Sequence, residues 1–218
     1  LDNKNIENLP IGLFGDFYAH ELSFTLINKN DYKNLNNIFN TCNLKINKII
    51  SKNFIEGVNL INHNKNLETF IKIEINESNS QIFLFEKSAL KFVQNFKFGS
   101  NLILKDISKV IAIKEEILKE ILFNNNSLNE NPKNEYLEEN FFKNQNFRKI
   151  KKKLIYEIAE ARIQELAEKI LSKNLNIISL LKKNIIIFLK LKDKKIFTCF
   201  EQIFISSFSS KRKYELKM

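Results

Sequence analysis

Few side chains in this chain belong to types that do covalent or metal chemistry. There are two histidines, His20 and His63, and two cysteines, Cys42 and Cys199, far apart and at no metal or disulfide spacing. No Ser-x-Gly elbow or paired-acid motif accompanies them, so a nucleophile with its base has no candidate. Two other groupings could hold a ligand. One is the polar run Glu74, Asn76, Glu77, Ser78, Asn79, Ser80 and Gln81, set between two apolar segments. The other places Phe141, Phe142 and Phe147 beside Arg148, Lys149, Lys151, Lys152 and Lys153, a cation cluster that is either a solvated helix end or kept for an acidic partner.

The elements around these groups can be read from periodicity. Phe70, Lys72 and Glu74 alternate against Ile71, Ile73 and Ile75, the β-rich run Gln81–Phe85 follows, and Lys91–Phe98 is a third strand ending at Gly99. The five-residue tip 76–80 has no glycine, which predicts closure by Asn and Ser side chains with positive φ at Asn76 or Asn79. Upstream, His20–Ile27 and Lys45–Ser51 read as strands flanking a helix that carries Leu35, Ile38, Phe39 and Cys42, with cap chemistry at Asn28–Asp31. A short helix with Phe54, Val58 and Ile61 leads into the hairpin. Downstream, Ile103, Ile107, Val110 and Ile111 make a helical stripe, continued by Ile117, Leu118 and Ile121. The stretch Asn124–Asn146 reads as a loop, Phe147–Leu171 as the longest helix, Asn184–Leu191 as a strand and Phe197–Phe208 as a closing helix. Cations in the first turns of the long helix would oppose its dipole, so they are either tolerated drift or kept for an acidic partner.

With 218 residues, 44% apolar and 28% charged, the chain is globular and can bury one moderate core or two small ones. Its net charge of +10 is spread along the sequence, mostly as lysine, and accompanies abundant Asn, Ile and Phe with four Gly and no Trp. That pattern looks like the drift of an AT-rich genome, which speaks of codons and not of partners. The phenylalanines alternate as a core would, so a nucleic-acid stacking platform is disfavoured. No run reaches the roughly 18 apolar residues of a membrane span. The expectation is a reducing cytoplasmic setting without a signal peptide.

The order of these stretches resembles the FtsA family of bacterial cell-division proteins, actin-like ATPases, in its alphaproteobacterial branch. The likeness covers most of residues 9 to 208. LPIGLFGDFYAHELSFTLIN (Leu9–Asn28) is similar to the opening strand of the family's inserted domain, and NTCNLKINKIISKNFIEGVNLI (Asn40–Ile61) to the return into the actin core. LETFIKIEINESNSQIFLF stands at the second phosphate loop, FGSNLILKDI at Gly-Gly-Asp-x-Ile-Thr-x-Asp-Ile, and EARIQELAEKIL at a helix with an Arg-x-x-Glu pattern. The resemblance implies an α/β (α+β) actin-like fold fragment with a small inserted α+β domain. Its expected parts are 9–62 as that domain, 63–208 as the actin-like second domain with 124–158 as an outer lobe, and 209–218 as a tail.

The departures from the family also carry meaning. Its phosphate-loop aspartate falls on Glu74, its three glycines on Asn76, Glu77 and Ser78, its threonines on Asn79 and Ser80, and the next aspartate on Gln81. Glycines let backbone N–H groups close on phosphate oxygens. A carboxylate such as Glu77 about 4 Å from a phosphate charge costs about 4 kcal/mol at an effective dielectric near 20, roughly a thousandfold in affinity. The adenosine-loop Thr-Gly-Gly is replaced by Leu189, Lys190, Leu191 and Lys192, and the first phosphate loop would fall ahead of Leu1. Gly99, Asp106 and Lys119 remain of the nucleotide-side pattern.

By resemblance, then, the chain is a pseudo-ATPase that has lost ATP and magnesium binding. The implied role is an adaptor linking FtsZ to the inner membrane face at the division site, receiving the FtsZ tail on Phe141–Lys153 and open to self-association. A nucleotide-dependent version that still binds ATP, and a basic nucleic-acid-binding protein, are the alternatives.

Overall fold

The computed structural model describes residues 11–12, 14–17, 24–64, 67–123, 135–142, 147–178, 185–209 and 215–217, in two compact units, 1–52 and 53–218. The first unit contains helix α1 (Lys29–Thr41). Asn28 caps it through its side chain, which accepts from the Asn30 N–H, as its place in the sequence predicts. At the other end Asn43 takes φ 56°, and Leu44 N–H and Asn43 N–H return to the Phe39 and Asn40 carbonyls, a Schellman closure. The flanking strands expected at 20–27 and 45–51 do not form among the described residues: 24–28 and 44–51 run as irregular chain. Local composition favours a strand only where a ladder partner exists, and none is present there among the described residues.

The second unit holds all but the first residue of α2 (Lys52–His63) and the three predicted strands, β1 (Phe70–Ile75), β2 (Ser80–Glu86) and β3 (Ala89–Phe96). Helices α3 (Asn101–Ile111) and α4 (Glu115–Phe123) follow, then a 3₁₀ turn, Glu139–Phe142. Next come the long α5 (Lys152–Ala167), continued by a π turn over Glu168–Ser172, and β4 (Ile186–Leu191). Helices α6 (Lys194–Cys199) and α7 (Glu201–Ser209) and the short β5 (Glu215–Lys217) close the chain. The sheet order is β3-β2-β1-β4-β5. The first three strands form an antiparallel meander, while β4 runs parallel to β1 and β5 parallel to β4. This is the α/β class that the sequence pattern implies.

Two elements differ from their predicted bounds for local reasons. Helix α5 starts at Lys152 instead of Phe147 because 150–152 are drawn into an antiparallel bridge with 135–137: Leu137 N–H donates to Ile150 C=O and Lys152 N–H to Glu135 C=O, both at 2.9 Å. The closing helix is divided at Phe200, and Asp193 caps its first half by accepting from Lys195 and Ile196 N–H.

Both faces of the sheet are covered. Ile71, Ile73, Ile75, Ile82, Leu84, Ile187 and Leu189 belong to the main core with residues from α3, α4, α5, α6 and α7. Phe70, Phe83 and Phe85 point the other way and pack with Leu67, Leu60 and Ile61 at the end of α2. Phe70 and Phe85 stack with centroids 4.7 Å apart, and Gly57 of α2 lies on the Phe85 ring so closely that a Cβ there would sit 1.9 Å from its nearest carbon. Leu137, Phe142 and Ile150 are buried in the main core, so the described part of 124–158 has no core of its own. Among the described residues no helix is long and apolar enough to cross a membrane.

The β2–β3 turn is the one strained connection in the meander. Lys87 and Ser88 both hold positive φ, 50° and 63°, where a two-residue hairpin favours Asn-Gly. Replacing the pair by Lys87→Asn with Ser88→Gly should stabilise the chain by about 1 kcal/mol. The check is a higher urea midpoint at an unchanged m-value.

Candidate functional site

The polar tip between β1 and β2 is closed within itself and against α3. Asn76 N–H donates to Asn79 C=O at 2.9 Å, and Asn76 Nδ2 to Asn79 Oδ1 at 2.5 Å. Side chains therefore hold the turn, as predicted, but neither asparagine has positive φ. The direct side-chain bond closes the turn with ordinary backbone angles, and the expected left-handed residue is not needed. The tip carbonyls of Asn76 and Glu77 accept from Ser100 and Asn101 N–H, both at 2.9 Å, so the first donors of α3 are spent on the hairpin. Gly99 permits this approach: a Cβ there would lie 2.2 Å from the Asn76 oxygen and 2.6 Å from that of Glu77. Glu77, Ser78 and Asn79 are exposed, whereas Ser80 is buried with its hydroxyl donating to Phe98 C=O at 2.8 Å. Gln81 donates to Asn95 at 2.7 Å, and the buried Ser100 hydroxyl has no hydrogen-bond partner among the described residues.

Glu74 joins a cluster of charges on the α2 face of the sheet. The alternation that puts Ile71, Ile73 and Ile75 into the main core puts Lys72 and Glu74 on this side, where Lys72 is only 4% exposed. Its ammonium pairs with Glu56 of α2 and with Glu74 at 2.7 Å, and lies 5.3 Å from the Phe83 ring centre. Lys190 of β4 completes the group, 3.3 Å from Glu56 and 3.8 Å from Glu74. Burial pushes the Glu56 carboxyl up, but hydrogen bonds to Lys72 and Glu74, the Lys72 charge and Lys190 together outweigh it and hold the group at about 2. Alternation in β1 makes Lys72 visible from sequence, while nothing there marks Glu56 or Lys190 as its partners.

A second constellation joins Asp106, from the FGSNLILKDI stretch, to Arg162 and Glu165 of the Arg-x-x-Glu pattern. Arg162 Nε donates to Asp106 of α3, and its Nη1 reaches Glu165 at 2.6 Å, which Lys169 also meets at 2.6 Å. Asp106, Arg162 and Glu165 line an open groove of about 540 Å³ between α3 and α5, with Lys109, Val110, Glu157, Ile158 and Ala161. Lys119 is exposed on α4.

The aromatic and cationic set is divided by the fold. Phe142 is buried and meets Phe147 edge-on at 5.5 Å, Phe141 is half-buried against the main core, and Phe147 is 41% exposed. Arg148, Lys149 and Lys151 are exposed and precede α5, so they do not sit in its first turn. Lys152 is buried on Glu135 at 2.8 Å, and Lys153 is exposed and pairs with Glu157 at 3.3 Å. Among the described residues no group of three His, Cys, Asp or Glu side chains could hold a metal ion.

No family model matches the chain, and no curated protein matches its sequence. Solved structures similar to it include the PilM–PilN type IV pilus biogenesis complex, at 10% identity over 80% of this chain and 43% of that one with a TM-score of 0.49. MreB5 of Spiroplasma citri bound to AMPPNP is similar at 14% identity over 87% and 60%, with a TM-score of 0.48. Ta0583, an archaeal actin homolog, is similar at 11% identity over 78% and 48%, with a TM-score of 0.47. The chain thus spans about half the length of the structures it matches. Its structural neighbours are actin-like proteins. TM-scores below 0.5 give it neither a family nor a function.

Two outcomes follow from the geometry. Gly99→Ala drives a methyl into the tip carbonyls and should lower stability by about 2 kcal/mol or more, measured by thermal denaturation. Glu56 has a folded pKa below its ordinary 4.5, so its contribution is present above about pH 4.5 and is lost as pH falls toward about 2. Glu56→Gln should therefore destabilise the chain at neutral pH by on the order of 2 kcal/mol and flatten the loss of stability across that acid window, read from urea midpoints at each pH.

Proposed function

We propose that the chain is part of an actin-like protein related to FtsA, acting in the cytoplasm as a non-enzymatic adaptor between the FtsZ ring and the inner membrane face. In this reading its second phosphate loop serves as a structural clamp. The observation that carries the proposal is the commitment of the tip: Asn76 and Glu77 carbonyls face the α3 N-terminus, and Glu74 faces Lys72 and Lys190. A phosphate cradle needs converging N–H donors, and here the leading N–H groups of α3 are already bonded to those carbonyls while Glu77 adds a negative charge. Titrating ATP into the chain by calorimetry, with and without magnesium, should give no saturable binding below about 1 mM. A sub-millimolar dissociation constant would favour the nucleotide-dependent alternative.

The partner surface proposed for the FtsZ tail is the exposed set Phe147, Arg148, Lys149 and Lys151, with Phe141 at its edge. Phe142 and Lys152 support it from the core side. Reversing Arg148, Lys149 and Lys151 to Glu should weaken binding of an FtsZ tail peptide about tenfold at low salt, at about 0.5 kcal/mol per rim charge, with circular dichroism unchanged. Equal affinity in the triple variant would remove this surface.

A further inference from the structure

Strand β3 ends the sheet and is hydrogen-bonded to β2 alone. Among the described residues its outer edge has no ladder partner, and those of the first unit include no strand that could supply one. The opposite edge of the sheet is β5, three residues long, the kind of short strand by which edges are commonly blunted. β3 runs for eight residues. Its start is guarded by a bulge: the register shifts at Leu84/Phe85, so that Lys91 opposes no residue of β2. Beyond it Phe92, Val93, Gln94, Asn95 and Phe96 pair in regular order and include no charge, glycine or proline.

The alternation of the ladder tells which main-chain groups face outward. The Asn76 N–H bond to Asn79 C=O closes the β1–β2 turn, so Gln81 and Phe83 bond to β1 while Ser80, Ile82 and Leu84 bond to β3. Their partners Phe96, Gln94 and Phe92 are thereby turned inward, and the N–H and C=O groups of Val93 and Asn95 face out. The strand is fixed from both faces. Gln81 donates to the Asn95 side chain at 2.7 Å, and Asn174 and Asn176 donate to that of Gln94 at 2.9 and 3.2 Å. An edge held in this way has little ordering left to lose when an extended chain joins it.

Charge selects the occupant. Lys91 and Lys97 bracket the uncharged run, and the nearest acid in sequence is Glu86 at the turn, opposite Ala89. A second copy paired antiparallel over 92–96 would set Lys91 of each chain against Lys97 of the other, a like-charge juxtaposition that opposes pairing. A segment with an apolar centre and acids at both ends meets the same lysines favourably. We propose that the outer edge of β3 receives an extended segment of a partner protein as an added strand, apolar at its centre and acidic at its ends. The inference rests neither on the adaptor reading nor on the surface around Phe147.

The probe is the fluorescein-labelled peptide Asp-Glu-Thr-Val-Ile-Val-Thr-Glu-Asp, titrated with the full chain by anisotropy. It should bind with a dissociation constant below about 100 μM at low salt, and exchange of the Val93 and Asn95 amide hydrogens should slow when it does. The same peptide with lysine in place of each acid should bind at least about tenfold more weakly. Val93→Pro removes an outward N–H and leaves the ladder to β2 intact, so it should weaken binding at least about tenfold while the urea transition stays cooperative. Lys91→Glu with Lys97→Glu should weaken binding to a similar degree without altering the backbone. Absence of binding, equal affinity for the lysine peptide, or full affinity in either folded variant would overturn the proposal. A concentration-dependent dimer of the chain alone, abolished by Val93→Pro, would overturn it in favour of a second copy.

Discussion

Strand β1 is hydrogen-bonded on both edges, antiparallel to β2 and parallel to β4, and this double pairing imposes most of what surrounds it. A strand held on both sides inside a sheet has to be covered on both faces, since open apolar faces would remain in water. One face is answered by the large isoleucine-rich core. The other carries Phe70, Lys72 and Glu74, and so needs a cover that is apolar at one end and charged at the other. Helix α2 provides this, with Gly57 against the Phe85 ring and Glu56 reaching Lys72. A buried ammonium without its carboxylates would be severely penalised, so α2 is positioned by charge as well as by packing.

The same strand connects the fold to the proposed function. Its end turns directly into the tip whose carbonyls receive the first donors of α3, and at Gly99 a side chain would prevent that contact. The tip is therefore continuous with the core through β1 and with α3 through two backbone bonds. A loop so placed is a structural junction tied by backbone bonds to both the sheet and α3.

Much of the second unit was legible because its signals are periodic. Alternation in β1, the stripe of Ile103, Ile107, Val110 and Ile111, and the apolar run of β4 each report a face that has to be buried, and the structure buries it except at Val110, which is 60% exposed. What periodicity could not supply was anything fixed by distant partners. The start of α5 depends on a bridge from Tyr136 to Lys151, and Lys152 is buried because Glu135 meets it. In the first unit the alternation of Leu22, Phe24 and Leu26 and the apolar run at 45–51 suggested strands, and no ladder partner pairs with either among the described residues. The absence of positive φ at Asn76 and Asn79 has the same origin: one side-chain bond closed the turn, and local composition does not say which bond that will be.

The parallel pairing of β1 with β4 has a consequence for how the chain is made. Antiparallel β2 and β3 follow β1 within a few residues, whereas Ile186, opposite Phe70, emerges about a hundred residues later. During synthesis the meander is complete while the far edge of β1, rich in isoleucine, still awaits its neighbour. Such an edge is a template for unwanted pairing between nascent chains. Lys72 and Glu74 place opposite charges beside that edge, and Glu56 on α2 is already synthesised to hold them, so the charge cluster can guard the open edge until β4 arrives.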